Sequence, residues 1–196
     1  MIRHVAAMLL CVLALGGTAT AQDLAKGKAA YKAQDYKAAL KELKPLAEAG
    51  NAEAQLYYSR ILGGGWGVSA NVPLSLKWLH KAVAQGLAEA QYELGLYHHN
   101  KDEWHKAAKM HRAAAEQNHC AAQHFLGKAY EEGQGAPQDY VLAYMWYNLA
   151  AAQTGPWCDS LSRLYRDNMA DKLFAPMILE AQKLSRECVA KNYKGC

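Results

Sequence analysis

The side chains able to do chemistry lie mostly past residue 75. Seven histidines (His80, His98, His99, His105, His111, His119 and His124) accompany four cysteines, Cys120, Cys158, Cys188 and Cys196. On a helix Cys120 and His124, four apart, share a face, and with His119 beside them they could grip zinc through one thiolate and two imidazoles. No second ligand pair follows at a fixed spacing, and no C-x-x-C occurs. The favoured reading is therefore an oxidised Cys120 among ordinary half-exposed histidines, with no metal and no cofactor. Nucleophiles fare no better. Ser75 is followed by lysine two positions later rather than three, on another side of a helix. Ser-x-x-Lys, Gly-x-Ser-x-Gly, the phosphate-binding glycine loop and His-Glu-x-x-His are all missing, so the chain is expected not to be an enzyme.

The start of the chain says where those cysteines work. Met1-Ile2-Arg3-His4 precedes an apolar run from Val5 to Leu15, and Thr18-Ala19-Thr20-Ala21 supplies small residues for cleavage. These are the parts of a secretory signal over 1–21, cut after Ala21, leaving 22–196 as a single domain. The run is too short to span a bilayer, and Leu10 before Cys11 argues against a lipid anchor. A periplasmic or secreted location is expected, without membrane insertion once the signal is removed. Four remaining cysteines in an oxidising compartment predict two disulfides. Loss of Arg3 lowers the net charge from +4 to +3. That is too slight and too dispersed for nucleic acid.

The elements that would position these residues come from an internal repeat. Ala49-Gly50-Asn51-Ala52-Glu53-Ala54-Gln55 returns 36 positions later as Gln85-Gly86-Leu87-Ala88-Glu89-Ala90-Gln91, and 32 further on as Gln117-Asn118-His119-Cys120-Ala121-Ala122-Gln123. Leu94-Gly95 matches Leu126-Gly127, and Trp78 matches Trp146. Each copy holds two helices with apolar spacing of three and four, joined by glycine-rich loops in the first and third copies and a loop four residues shorter, His99 to Asp102, in the second. A glycine inside a helix costs about 1 kcal/mol relative to alanine, so Gly95 and Gly127 in one register predict a neighbouring helix too close for a Cβ. A pair at 22–50, repeats at 51–86, 87–118 and 119–155, and a last pair with a tail at 156–196 make about five antiparallel helix pairs. Trp78, Trp146, Tyr144 and Tyr147 are expected in the core; Trp66, Trp104 and Trp157 lie in or beside loops.

These residues, above all Ala143-Tyr144-Met145-Trp146-Tyr147-Asn148-Leu149-Ala150-Ala151-Ala152, resemble the Sel-1-like repeat family, a branch of the tetratricopeptide-like α-solenoids. The resemblance implies an all-α, right-handed α-solenoid and adaptor or scaffold work on an unidentified protein or peptide. The oligomeric state is left open. A cysteine-rich exported subgroup has been linked with penicillin binding or hydrolysis. The alternative is therefore a cell-wall-linked or β-lactam-binding hydrolase, for which none of the serine enzyme motifs is present.

Tails in the resembled proteins often end Glu-Cys … Tyr-Lys-Gly-Cys, as Glu187-Cys188 to Gly195-Cys196 do here. Asn192 to Gly195 could also turn the tail back, and Cys120 and Cys158 each sit near the start of a first helix in consecutive units, ends that stack side by side; both favour Cys188–Cys196 with Cys120–Cys158. The rival is Cys158–Cys188 with Cys120–Cys196. For partner binding, positions 2, 5, 9 and 12 of each first helix form one face. They read Glu53, Leu56, Arg60, Gly63 in the first copy; Glu89, Tyr92, Leu96, His99 in the second; and Ala121, His124, Lys128, Glu131 in the third. These vary while positions 4, 7, 8 and 11 repeat, and stacked first helices of such solenoids offer a concave face for peptides.

Overall fold

Helix follows helix through the computed structural model, which describes residues 21–154 and 158–196. The expected leader falls outside them except for Ala21, as does Trp157. The order is α1 (21–32), α2 (Tyr36–Glu48), α3 (Ala52–Gly64), α4 (Val72–Ala84), α5 (Ala88–His99), α6 (Trp104–Ala115), α7 (Cys120–Glu132), α8 (Tyr140–Ala151), α9 (Asp159–Ala170) and α10 (Ala175–Ala190). There is no strand among the described residues, and no helix there is long and apolar enough to cross a membrane.

Local chemistry sets the helix ends. Asp35, Asn51, Asn71 and Asp139 each accept a hydrogen bond from a first-turn backbone N–H, and Gly65 and Gly133 stop α3 and α7 in left-handed conformation at φ +68° and +70°. Between one helix pair and the next, one left-handed residue turns the chain: Gly50 (φ +100°), Gly86 (+80°) and Asn118 (+61°). Asparagine is among the few side chains that tolerate that region, so the third copy keeps the turn without the glycine.

The chain divides into two compact units, up to Gln85 and from Gly86. In the first, Ala39, Leu43 and Leu46 of α2 pack with Ala54, Tyr58 and Ile61 of α3. In the second, Trp146 and Tyr147 of α8 are the largest fully buried side chains, in one core with Met145 of α8, Leu126 of α7 and Met169 of α9. Trp78 packs at the edge of the first core, its ring edge-on to Tyr58. Trp66, on the loop after α3, stacks on Tyr36 with centroids 5.1 Å apart.

The repeated glycines sit where a second helix comes close. A Cβ at Gly95 would meet the His111 ring of α6 at 2.5 Å, and one at Gly127 the Tyr147 ring of α8 at 2.9 Å. In the first copy the residue in register with those rings is the aliphatic Leu79, and Ser59 replaces the glycine.

The last pair departs from the others. α9 and α10 each pack on α8 and hardly touch one another, whereas α3 with α4, α5 with α6, and α7 with α8 are close partners. The reason lies in α8, whose Ala143, Tyr144, Met145, Trp146, Tyr147, Leu149 and Ala150 are all buried. A helix apolar around most of its circumference must be covered from several sides.

Candidate protein-binding cleft

Within the second unit, α5 and α7 are successive first helices, and the start of α9 lies alongside. Between them opens a cleft of ≈ 600 Å³ lined by Glu89 and Tyr92 of α5, His119 at the cap of α7, Cys120, Ala121, His124 and Phe125 of α7, and Cys158 and Leu161. That volume is in the range of sites that take a ligand or an anchoring side chain, about 300–1,000 Å³. Tyr92, Ala121, Phe125, Leu161 and the cysteine pair make its walls mostly apolar.

Its polar groups are tied down. The His119 Nδ1 accepts from the Ala122 backbone N–H at 3.2 Å, which leaves the proton on Nε2 to donate to Glu89 Oε2 at 2.8 Å. Tyr92 stacks on the His119 ring with centroids 4.7 Å apart, so the wall of α5 is held to the cap of α7. Burial holds the Tyr92 hydroxyl above its ordinary pKa, and it stays protonated. His124 is buried, with Nδ1 3.1 Å from Ser162 Oγ and its ring edge-on to Tyr165 at 5.0 Å. Burial first, then the nearby Lys128, pushes it down to about 4, so the ring is neutral at neutral pH. Behind the cleft His111 lies flat on Phe125 at 5.0 Å, 2% exposed, and neither ring nitrogen has a hydrogen-bond partner. Burial, chiefly, takes it to about 3.

Two cysteine pairs stand at disulfide distance: Cys120 with Cys158, Cα atoms 5.8 Å apart, and Cys188 with Cys196 at 5.5 Å. The first joins the starts of α7 and α9 along the cleft wall; the second ties the tail to α10. Cys120 is thus engaged with Cys158, and His119 and His124 turn to Glu89 and Ser162. No group of three potential metal ligands converges among the described residues.

Of the face expected on the first helices, Glu89, Tyr92, Ala121 and His124 come together in this cleft. Lys128 lies beyond it, 3.7 Å from Glu132, and Leu96 is half-buried on α5. In the first unit Glu53 pairs with Lys28 of α1, and the Arg60 guanidinium sits over the Tyr57 ring at 5.1 Å. Two members of the face are not open, contrary to expectation. Leu56 is 2% exposed and His124 8%. A leucine gains most by leaving water, and His124 is covered by Ser162 and Tyr165 of α9. The cover that Ser162 gives His124 had no signal in the sequence, since the two lie 38 positions apart and Ser162 belongs to a pair outside the repeat pattern.

Comparison with known proteins places this geometry. The Sel1 repeat family model matches residues 52–87, 88–103, 105–119 and 120–154, just over half of the chain, and the break in the second copy falls at its shortened loop. Protein sel-1 homolog 2 of Rattus norvegicus is 35% identical over 136 residues, which is 65% of this chain but 20% of that protein. The crystal structure of a Sel1 repeat protein from Oxalobacter formigenes superposes with a TM-score of 0.60 at 32% identity, over 66% of this chain and 97% of the other. A protective antigen of uropathogenic Escherichia coli with an SLR fold gives 0.52 at 23% identity, over 89% of this chain and 47% of that one, a likeness of fold alone. Proteins built from such repeats are in general interaction scaffolds, and the fold is that of an all-α solenoid. On its repeats, its helix pairs and these matches, the chain belongs to the Sel1 repeat family.

Proposed function

We propose that this is an exported scaffold that binds a segment of another protein through the faces of its first helices, with the α5–α7–α9 cleft of the second unit as the anchoring point. The observation that carries the reading is the cleft itself: apolar walls of Tyr92, Phe125 and Leu161, with His119 paired to Glu89 and His124 to Ser162, in a volume suited to one or two large apolar side chains. Such a lining offers shape and apolar contact, so a partner would dock through an aliphatic or aromatic anchor on an extended or helical segment. Two cysteine pairs at disulfide distance fit an oxidising compartment outside the cytosol.

The hydrolase reading draws on one nucleophile–base pair, Ser162 with His124. Ser162 is 0% exposed, His124 is held near pKa 4, and the hydroxyl does not line the cleft. A substrate carbonyl cannot reach it in this structure, so the binding reading is better supported.

The test compares capture by immobilised mature protein and its Leu161→Asp variant from a periplasmic or culture-supernatant fraction, with Leu179→Asp on α10 as the control. Leu161 is 37% exposed and Leu179 65%, so neither change empties the core. A partner retained by the control and lost with Leu161→Asp supports the cleft; one held equally by all three overturns it.

A further inference from the structure

We propose that the Cys120–Cys158 disulfide is a thiol–disulfide exchange site reached from the cleft, at which a small thiol is captured on Cys158. The inference uses the cleft but no occupant, so it stands apart from the binding reading above.

Both cysteines line the cleft, but they are not equivalent. Cys158 is partly exposed, whereas Cys120 is 7% exposed, so an incoming thiolate reaches the Cys158 sulfur first. Attack there expels Cys120. That sulfur sits on the first residue of α7, where the positive end of the helix dipole favours a thiolate, and a better leaving thiolate speeds exchange. The step balances without an external oxidant. The thiolate sulfur bonds to Cys158 Sγ, the Cys120–Cys158 bond breaks, and its electron pair leaves on Cys120, which then takes a proton from water. The released Cys120 lies 3.9 Å from the Ala150 carbonyl, to which its new S–H can donate. A second thiol molecule attacking the mixed disulfide would complete the reduction, and with the bond cut α9 loses its covalent tie to α7 beside the cleft mouth.

The other pair has the opposite arrangement. Cys188 is 2% exposed, near the C-terminal end of α10, where the helix dipole opposes a thiolate. Attack on Cys196 would have to expel that poorer leaving group, and attack on Cys188 itself is closed by burial.

The experiment treats the oxidised mature chain under native conditions with reduced glutathione. After acid quench, free thiols are alkylated and the peptides mapped by mass spectrometry. Glutathione on Cys158, with Cys120 alkylated, is expected to precede modification of Cys188 or Cys196 by about tenfold or more in rate. Helical circular dichroism should be unchanged. A Leu161→Trp variant, which narrows the cleft mouth, should slow the adduct severalfold. Equal rates for the two pairs, an adduct first on Cys120 or on the C-terminal pair, or exchange that waits for unfolding by denaturant would each overturn the proposal. An unchanged rate in a folded Leu161→Trp protein would overturn the route through the cleft.

Discussion

The Gln85 side chain donates from Nε2 to Gln55 Oε1 at 2.8 Å and to the Gly50 carbonyl at 2.9 Å, linking the end of the second helix of the repeat to its first helix and to the turn before it. The same clamp recurs in the next copy, where Gln117 donates to Gln91 Oε1 at 2.7 Å and to the Gly86 carbonyl at 2.9 Å. In the third, Gln153 donates to Gln123 Oε1 at 2.8 Å and to Asn118 Oδ1, the asparagine that replaces the turn glycine. Gln55 and Gln123 also donate inward, to the carbonyls of Ala47 and Ala115. The glutamine repeated in the sequence is therefore a hydrogen-bonding hub as well as a packing residue.

Gln123 is 0% exposed, so Gln123→Ala leaves the Ala115 carbonyl and the Gln153 amide each one partner short and opens a small void. A loss of about 1–3 kcal/mol is expected in urea unfolding. Gln117→Ala, at the exposed side of the middle clamp, should cost less than about 1 kcal/mol. Equal effects at the two sites would mean that burial is not what gives the clamp its value.

The close approach at Gly127 makes a second prediction. An alanine there puts its Cβ 2.9 Å from the Tyr147 ring, which is itself buried and hydrogen-bonded through its hydroxyl to Glu131 at 2.8 Å, so the ring has little room to yield. Gly127→Ala should destabilise by about 1–3 kcal/mol. The first copy, with Ser59 and Leu79 in the same register, suggests the compensation. Gly127→Ala combined with Tyr147→Leu should cost less than the sum of the single changes by at least about 0.5 kcal/mol, measured as a double-mutant cycle. Strict additivity would show that the ring is not what excludes the Cβ.

How much of this was legible follows the repeat. Gly95 and Gly127 announced close helix contacts because they share a register, and in each case a ring of the second helix stands where a Cβ would go. The identity of the close neighbour was not legible, since nothing in the sequence says that a histidine ring fills one site and a tyrosine ring the other. The face of Glu89, Tyr92 and His124 could be read from helical spacing, which carries direction but not depth. The burial of Leu56 and His124 depends on what packs over them, and for His124 that is α9, in the pair that departs most from the repeat. Pairing of Cys120 with Cys158 was legible in another way: stacking of consecutive first helices brings the starts of α7 and α9 together, and the pair stands with Cα atoms 5.8 Å apart.

The two cysteine pairs should differ in what they contribute to stability. With sequence separations of 38 for Cys120–Cys158 and 8 for Cys188–Cys196, chain-entropy arguments give about 4 and about 2.5 kcal/mol. Cys120→Ser with Cys158→Ser should therefore lower the urea midpoint more than Cys188→Ser with Cys196→Ser. The reverse order would place the larger constraint at the tail.

His111 makes stability depend on pH in a defined window. Its ordinary value is 6.5, and in the folded chain it is held to about 3, because a proton on a buried ring with no partner is strongly disfavoured. Above 6.5 the ring is neutral in both folded and unfolded chains, and its contribution is fully present. As pH falls below 6.5 the unfolded chain takes up a proton that the folded chain refuses, so stability is lost progressively down to about 3. His124, held near 4, adds a loss of the same sign over a shorter window. Each group at full effect contributes a slope of about 1.4 kcal/mol per pH unit. His111→Leu, which matches Leu79 in the same register of the first copy, removes one of the two slopes and both unpartnered nitrogens. At neutral pH it should be within about 1.5 kcal/mol of the wild type. Between the two values its urea midpoint should fall less steeply with acid than that of the wild type, while carboxylates shared by the two proteins cancel in the comparison. Parallel curves for the two proteins would show that His111 is not the group that titrates.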